Sequence, residues 1–167
     1  MNVTTLTALA DFPRLLEAHY NVIPAGFENW KPASWDGVPS EPYSPIEQIC
    51  HVRDIEIDGY HVRFARTLAE TRPVLPGVDG DMLARTREYD RADPADVFAA
   101  FRVARQKTLE LIEKLTPDQF DRIAEFDGYG LVTLRGLVHF LCSHDQQHLA
   151  GLQWLAGQID GARRVAS

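Results

Sequence analysis

One stripe in the last third of the chain constrains the fold more than anything else: Leu134, Leu137, Leu141, His144, His148, Gly151 and Leu155 recur at steps of three and four. That is the period of side chains sharing one face of an α-helix, and of the seam along which bundled helices pack. Two histidines stand where the rest of the stripe is leucine, while Arg135, Gln146, Gln147 and Gln153 fall on other faces. An imidazole in such a seam must find partners for its ring nitrogens or bear the cost of desolvation. Histidines four apart lie one above the other on a helix, close enough to ligate one ion. The plainer alternative is a pair of partly buried histidines satisfied by backbone or side-chain acceptors.

The remaining segments supply partners for that helix. From about Thr4 to Tyr20, Leu6, Leu9, Phe12, Leu15, Leu16 and His19 keep the helical period, and Pro13 among them requires a late start or a kink. Ser44-Pro45-Ile46-Glu47 combines a serine cap, a proline at the first helical position and a capping-box glutamate, predicting a helix from about Pro45 to Glu70. A short helix is expected over Asp79 to Tyr89. Asp93-Pro94 opens another long one, ending near Leu115, with Val97, Phe98, Phe101, Ala104, Thr108, Leu111 and Ile112 on its apolar face. Thr133 caps the last helix, expected to reach about Gly157. A loop rich in proline, glycine and aromatics runs from Pro24 to Pro45. Another, Asp118 to Leu131, leads into an extended or two-stranded piece around Phe126 to Val132. With no sustained period-two run and no repeat, the expected architecture is all-α: one domain over 1–167, a four-helix bundle with long loops.

Composition narrows the function classes. The chain has 167 residues, 45% of them apolar, enough for one sizeable core. Its 24 acidic and 17 basic side chains leave a formal charge of −7 with no local basic patch, so no nucleic-acid partner is expected. Apolar stretches fall short of the roughly 20 residues that cross a bilayer. Met1 to Leu9 lacks a charged segment followed by an apolar block, so no membrane partner and a cytoplasmic location are expected. Cys50 and Cys142 are far apart and form no C-x-x-C pair, which argues for reduced, buried thiols despite their closeness to His51 and His144.

A third ligand must come from another helix. His51 lies near the start of the second helix on a stripe with Ile55, Asp58 and Val62, whereas Ile46, Cys50, Ile57 and Phe64 form a more apolar stripe suited to the core. On that reading His51 flanks the core or lines a cavity. His19, His61 and His139 have no such companions and read as structural. His144-Asp145-Gln146-Gln147-His148 also invites comparison with the H-E-x-x-H helix of zinc proteases. It departs from that pattern because Asp145 is a methylene short, and the nineteen residues after His148 hold no further histidine or glutamate.

Ser44 to His51, followed by Asp54 and Glu56, resembles the second-helix segment of the DinB/YfiT-like family of metal-binding four-helix bundles. Thr133 to Val138, leading to His144-Asp145-Gln146-Gln147-His148-Leu149, resembles that family's last helix. The likeness covers nearly the whole chain in helix order and loop placement. It implies a divalent ion, such as zinc or nickel, held by His51, His144 and His148 with water at the open positions, and it implies a homodimer.

Three neutral imidazoles leave a dication its full charge and at least one free position, as in a catalytic site, with zinc the first choice and nickel the second. Some relatives are transferases or isomerases that use a low-molecular-weight thiol such as bacillithiol or mycothiol. The expected function is therefore a metal-dependent thiol S-transferase or hydrolase acting on a small-molecule substrate. A metal- or ligand-binding stress-response module without turnover is the alternative. Asp58 and Asp145 are the candidate catalytic carboxylates, able to orient an imidazole or accept a proton. Trp30, Trp35 and Tyr43 wall a pocket or anchor their loop. No arginine cluster near the histidines marks an acidic substrate. A second apolar stripe on helix two, through Ile55 and Val62, needs either the Pro24 to Pro45 loop or a second copy of the chain.

Overall fold

In the computed structural model, which describes residues 1–165, four long helical rods form a bundle, as the periodicity predicts. The first, α1 (Val3–Tyr20), is capped by Asn2, whose side chain accepts from the Thr5 amide at 2.8 Å. Pro13 lies inside α1, which begins well before it. The carbonyl that proline leaves without a helical donor, on Leu9, accepts instead from Arg105 Nη1 at 2.8 Å.

The capping box at Ser44 forms as expected, with Glu47 accepting from the Ser44 amide at 2.8 Å. The uniform helix expected from Pro45 to Glu70 does not. Instead α2 (Pro45–Asp54) passes through a π-helical segment, Ile55–Tyr60, into α3 (His61–Ala69). A π turn changes the register of every later side chain, and such turns recur at functional sites. The stripe His51, Ile55, Asp58, Val62 therefore does not hold one face: Ile55 is buried while Val62 is 47% exposed. Ile57, expected among the core residues, is turned toward the surface.

Next come β1 (Val74–Leu75), α4 (Gly80–Thr86) capped by Asp79, and a 3₁₀ turn at Tyr89–Arg91. The third rod is α5 (Pro94–Lys114), followed by α6 (Pro117–Phe120) and the strands β2 (Ile123–Phe126) and β3 (Gly130–Thr133). The extended piece expected near Phe126 is thus a hairpin, with β1 parallel to β2 and β3 antiparallel to it. A strand as short as β1 carries no readable period.

Thr133 caps α7 (Leu134–Val165), its Oγ1 accepting from the Gly136 amide at 3.0 Å. The helix continues past Gly157. That glycine does not take the left-handed conformation of a helix end, and Ile159 beyond it is buried.

The core has two apolar halves. Leu9, Phe64, Ile112, Leu137 and Leu141 pack with the sheet at one end, and Phe12, Leu16, Cys50, Phe101 and Leu152 at the other. Between them three of the four rods contribute polar residues to a buried layer: His51 and Glu56, Arg105 and Thr108, Asp145 and His148.

Candidate metal centre

His51 on α2 and His144 and His148 on α7 meet in that layer, their ligand atoms all within 4.8 Å of one another. His51 and His148 are buried and His144 is partly open. Nε2 of His144 lies 3.3 Å from Nε2 of His51. That separation matches the edge of a tetrahedron whose metal–nitrogen bonds are about 2.0–2.1 Å. Burial first, then the neighbouring His148, holds the His51 imidazole down to about 3. Burial, His148 and His51 push His144 well below its ordinary value. Both rings are therefore neutral and offer lone pairs.

His148 is oriented by Gln48, one turn before His51 on α2. The Gln48 amide nitrogen faces acceptors, Ser40 Oγ at 2.8 Å and the Glu41 carbonyl at 3.0 Å, which leaves its oxygen to face His148 Nδ1 in a short hydrogen bond. Nδ1 must be the donor there, so the lone pair of a neutral His148 ring sits on Nε2. That nitrogen lies 3.1 Å from Glu41 Oε2, and both atoms are buried without a hydrogen-bond partner. Two acceptors facing each other repel unless a cation joins them, either a proton on Nε2 or a metal ion. With a proton on Nε2, His148 is the first cause holding Glu41 down to about 2, against the opposing cost of burial.

Glycines let these groups approach. A Cβ on Gly151 would stand 2.3 Å from Ser40 Oγ, and one on Gly80 would stand 2.9 Å from His51 Nδ1 and 2.7 Å from the Tyr43 hydroxyl. The Tyr43 ring lies 5.0 Å from the His51 ring, while Trp35 stacks on Trp154 of α7 and Trp30 lines a surface groove beside it. Tyr43 is thus the loop aromatic against the histidines, and the tryptophans hold the loop to the bundle.

The two carboxylates singled out in the sequence lie elsewhere. Asp58, displaced by the π turn, pairs with Arg87 at 2.7 Å, and Arg87 also meets Asp54 at 2.8 Å. Asp145 pairs with Arg105, whose Nη1 lies 2.8 Å from Oδ2 and whose Nη2 donates to Oδ1 at 3.0 Å. Burial pushes the Asp145 carboxyl up to about 7 although Arg105 pulls the other way. Arg105 also donates to both oxygens of Glu56, at 3.0 and 2.7 Å, and Thr108 donates to Glu56 as well. His61, without a companion in the sequence, is tied by Nε2 to Thr108 Oγ1 and the Ala104 carbonyl.

Sequence reasoning missed Gln48, Glu41 and the arginines. Gln48 was legible, lying three residues before His51 on the same helix face. Glu41 sits in an irregular loop with no period to place it. Arg63, which follows the π turn, is a single arginine near His144, with the Tyr60 ring between the two, rather than a cluster.

The arrangement fits a divalent ion on two counts: three converging imidazoles, and buried polar atoms without a hydrogen-bond partner beside them. A helical bundle carrying such a cluster in its core defines a class. Within it, the chain belongs to the DinB superfamily, whose sequence profile matches residues 8–152. Its fold is similar to that of YfiT from Bacillus subtilis, described as a probable metal-dependent hydrolase with an unusual four-helix bundle topology. The two align with a TM-score of 0.81 at 20% identity, over 94% of this chain and 86% of YfiT. No curated protein matches the chain. Among the described residues, no helix is long and apolar enough to cross a membrane.

Proposed function

We propose that this protein is a metal-dependent hydrolase in which His51, His144 and His148 hold a divalent ion and Glu41 accepts the proton of the nucleophile. The observation that carries this reading is the pair of unpartnered acceptors, His148 Nε2 and Glu41 Oε2, at 3.1 Å beside two neutral imidazoles. Zinc is favoured over nickel, since neutral imidazoles in a tetrahedral set suit it. A bound dication lowers the pKa of water so that a nucleophile exists near neutral pH.

Glu41 Oε2 then receives the released proton, and Gln48 keeps base and ligand in register by gripping the Glu41 backbone with its nitrogen and His148 with its oxygen. Water is favoured over a low-molecular-weight thiol because a coordinating thiol loses its proton outright and needs no such base. The test compares zinc-loaded wild type and Glu41→Gln on ester and electrophile panels, with and without bacillithiol. Water-dependent turnover is expected to fall by about 10²–10⁴-fold with zinc content unchanged. Thiol-dependent turnover that survives Glu41→Gln assigns S-transfer instead, and no turnover by loaded wild type leaves the binding module.

Self-association belongs to the same proposal. Ile57, Val62 and Val103 are exposed beside a groove of about 460 Å³ between the helix-two rod and α5, a face suited to a second copy. Light scattering should give twice the chain mass. A single-chain mass at micromolar concentration rejects the dimer.

A further inference from the structure

Two arginines are buried among the described residues, and only one of them is paired: Arg105 binds two carboxylates and a carbonyl, as the half-buried Arg122 and Arg53 also bind acceptors, the carbonyls of Thr67 and Glu70 and the Asp54 carboxylate. Arg63 on α3 is only 6% exposed, yet its Nε is buried without a hydrogen-bond partner, and no carboxylate among the described residues pairs with its guanidinium. What holds it is shape. The Tyr60 and Phe126 rings lie 4.9 and 4.4 Å from its Cζ, and the head rests against Gly59, where a Cβ would come within 2.9 Å of Nη1. Aromatic faces offset only part of the cost of burying a cation, so a preorganised, unpaired guanidinium is an incomplete ion pair.

Its position gives that incompleteness a use. The Tyr60 ring next to the Arg63 guanidinium lies 6.3 Å from the His144 ring, so one aromatic side chain separates the arginine from the histidine cluster. His144 is the one histidine of the three that is not buried.

We propose that Arg63 is the anchor for an acidic substrate: its guanidinium receives a carboxylate from a molecule whose other end reaches the three-histidine site. The proposal rests on the metal reading above and specifies its substrate class. An arginine fork binds a carboxylate through parallel N–H donors, which suits a head fixed in orientation by two rings.

The test uses zinc-loaded protein and hydroxamates, which ligate zinc through their own oxygens. Acetohydroxamate is compared by calorimetry with carboxyalkyl hydroxamates of increasing chain length. At the length that spans the two sites the added carboxylate should tighten binding about tenfold to a hundredfold. Arg63→Met should abolish that gain, leaving acetohydroxamate affinity and zinc content unchanged. Gly59→Ala, which pushes the guanidinium aside with its charge intact, should reduce the gain even if the methionine variant fails to fold. Equal affinities at every length, or a gain that survives in both variants, would overturn the anchor. Failure of acetohydroxamate itself to bind would instead overturn the metal reading, and the anchor with it.

Discussion

His144 and Asp145 are consecutive on α7, yet they enter buried polar clusters of opposite kinds. Asp145 joins Arg105 and Glu56, where the guanidinium spends its donors on two carboxylates and the Leu9 carbonyl, and the one atom left without a hydrogen bond, Asp145 Oδ2, lies 2.8 Å from the Arg105 Nη1 cation. His144 joins His51 and His148, where His51 Nδ1, His148 Nε2 and Glu41 Oε2 are buried without hydrogen-bond partners. Since a buried polar atom left unmatched is costly, a cluster that closes on itself serves the fold, and one that leaves several atoms open is kept for something it binds. Position in sequence does not separate the two. The number of buried atoms left open does, one against three.

The sharpest way to break this contrast is Arg105→Leu, which strands two buried carboxylates. It should lower unfolding stability by about 3–5 kcal/mol in urea titrations while the folded fraction keeps its metal. Loss of metal with stability intact would mean the assignment is reversed.

Gln48→Ala acts from the other side. Without the group that fixes the His148 tautomer and clamps the Glu41 loop, metal affinity measured by chelator competition should fall about 10–100-fold. Unchanged affinity would show that Gln48 merely anchors the loop.

A smaller effect comes from Asp54, which accepts from Arg53 at 2.6 Å and from the Tyr89 hydroxyl at 2.6 Å, and pairs with Arg87 at 2.8 Å. Against the cost of its burial, these partners hold its carboxyl below the ordinary 3.8. The folded chain thus keeps this group ionised where the unfolded chain already takes up protons. The stability it contributes is complete above the ordinary value and is lost as pH falls through the folded one. Asp54→Asn should therefore lower stability by about 1–3 kcal/mol at neutral pH, with the gap to wild type narrowing toward strong acid. A gap constant with pH would contradict the ionised, hydrogen-bonded carboxylate.

How far the sequence carried varies from element to element. The four rods were legible because capping residues and apolar period agree at Ser44-Pro45, Asp93-Pro94 and Thr133, and the pairing of His144 with His148 followed from the same period. The π segment was not: Ile55 to Tyr60 reads as ordinary helix, and its register shift moved Asp58 away. Pro13 was legible as a disturbance. Its remedy, a donor from Arg105 far along the chain, is a tertiary contact that local sequence cannot encode. Glu41 escaped for a related reason, since a loop held by Gln48 and packed against Gly151 has no repeat to read.

The most direct measurement is the metal content of protein purified without an affinity tag, for wild type, His148→Ala and Asp145→Asn. If the open cluster is the metal centre and the closed one is structural, wild type and Asp145→Asn carry about one divalent ion per folded chain and His148→Ala carries none. Equal content in wild type and His148→Ala would contradict the account.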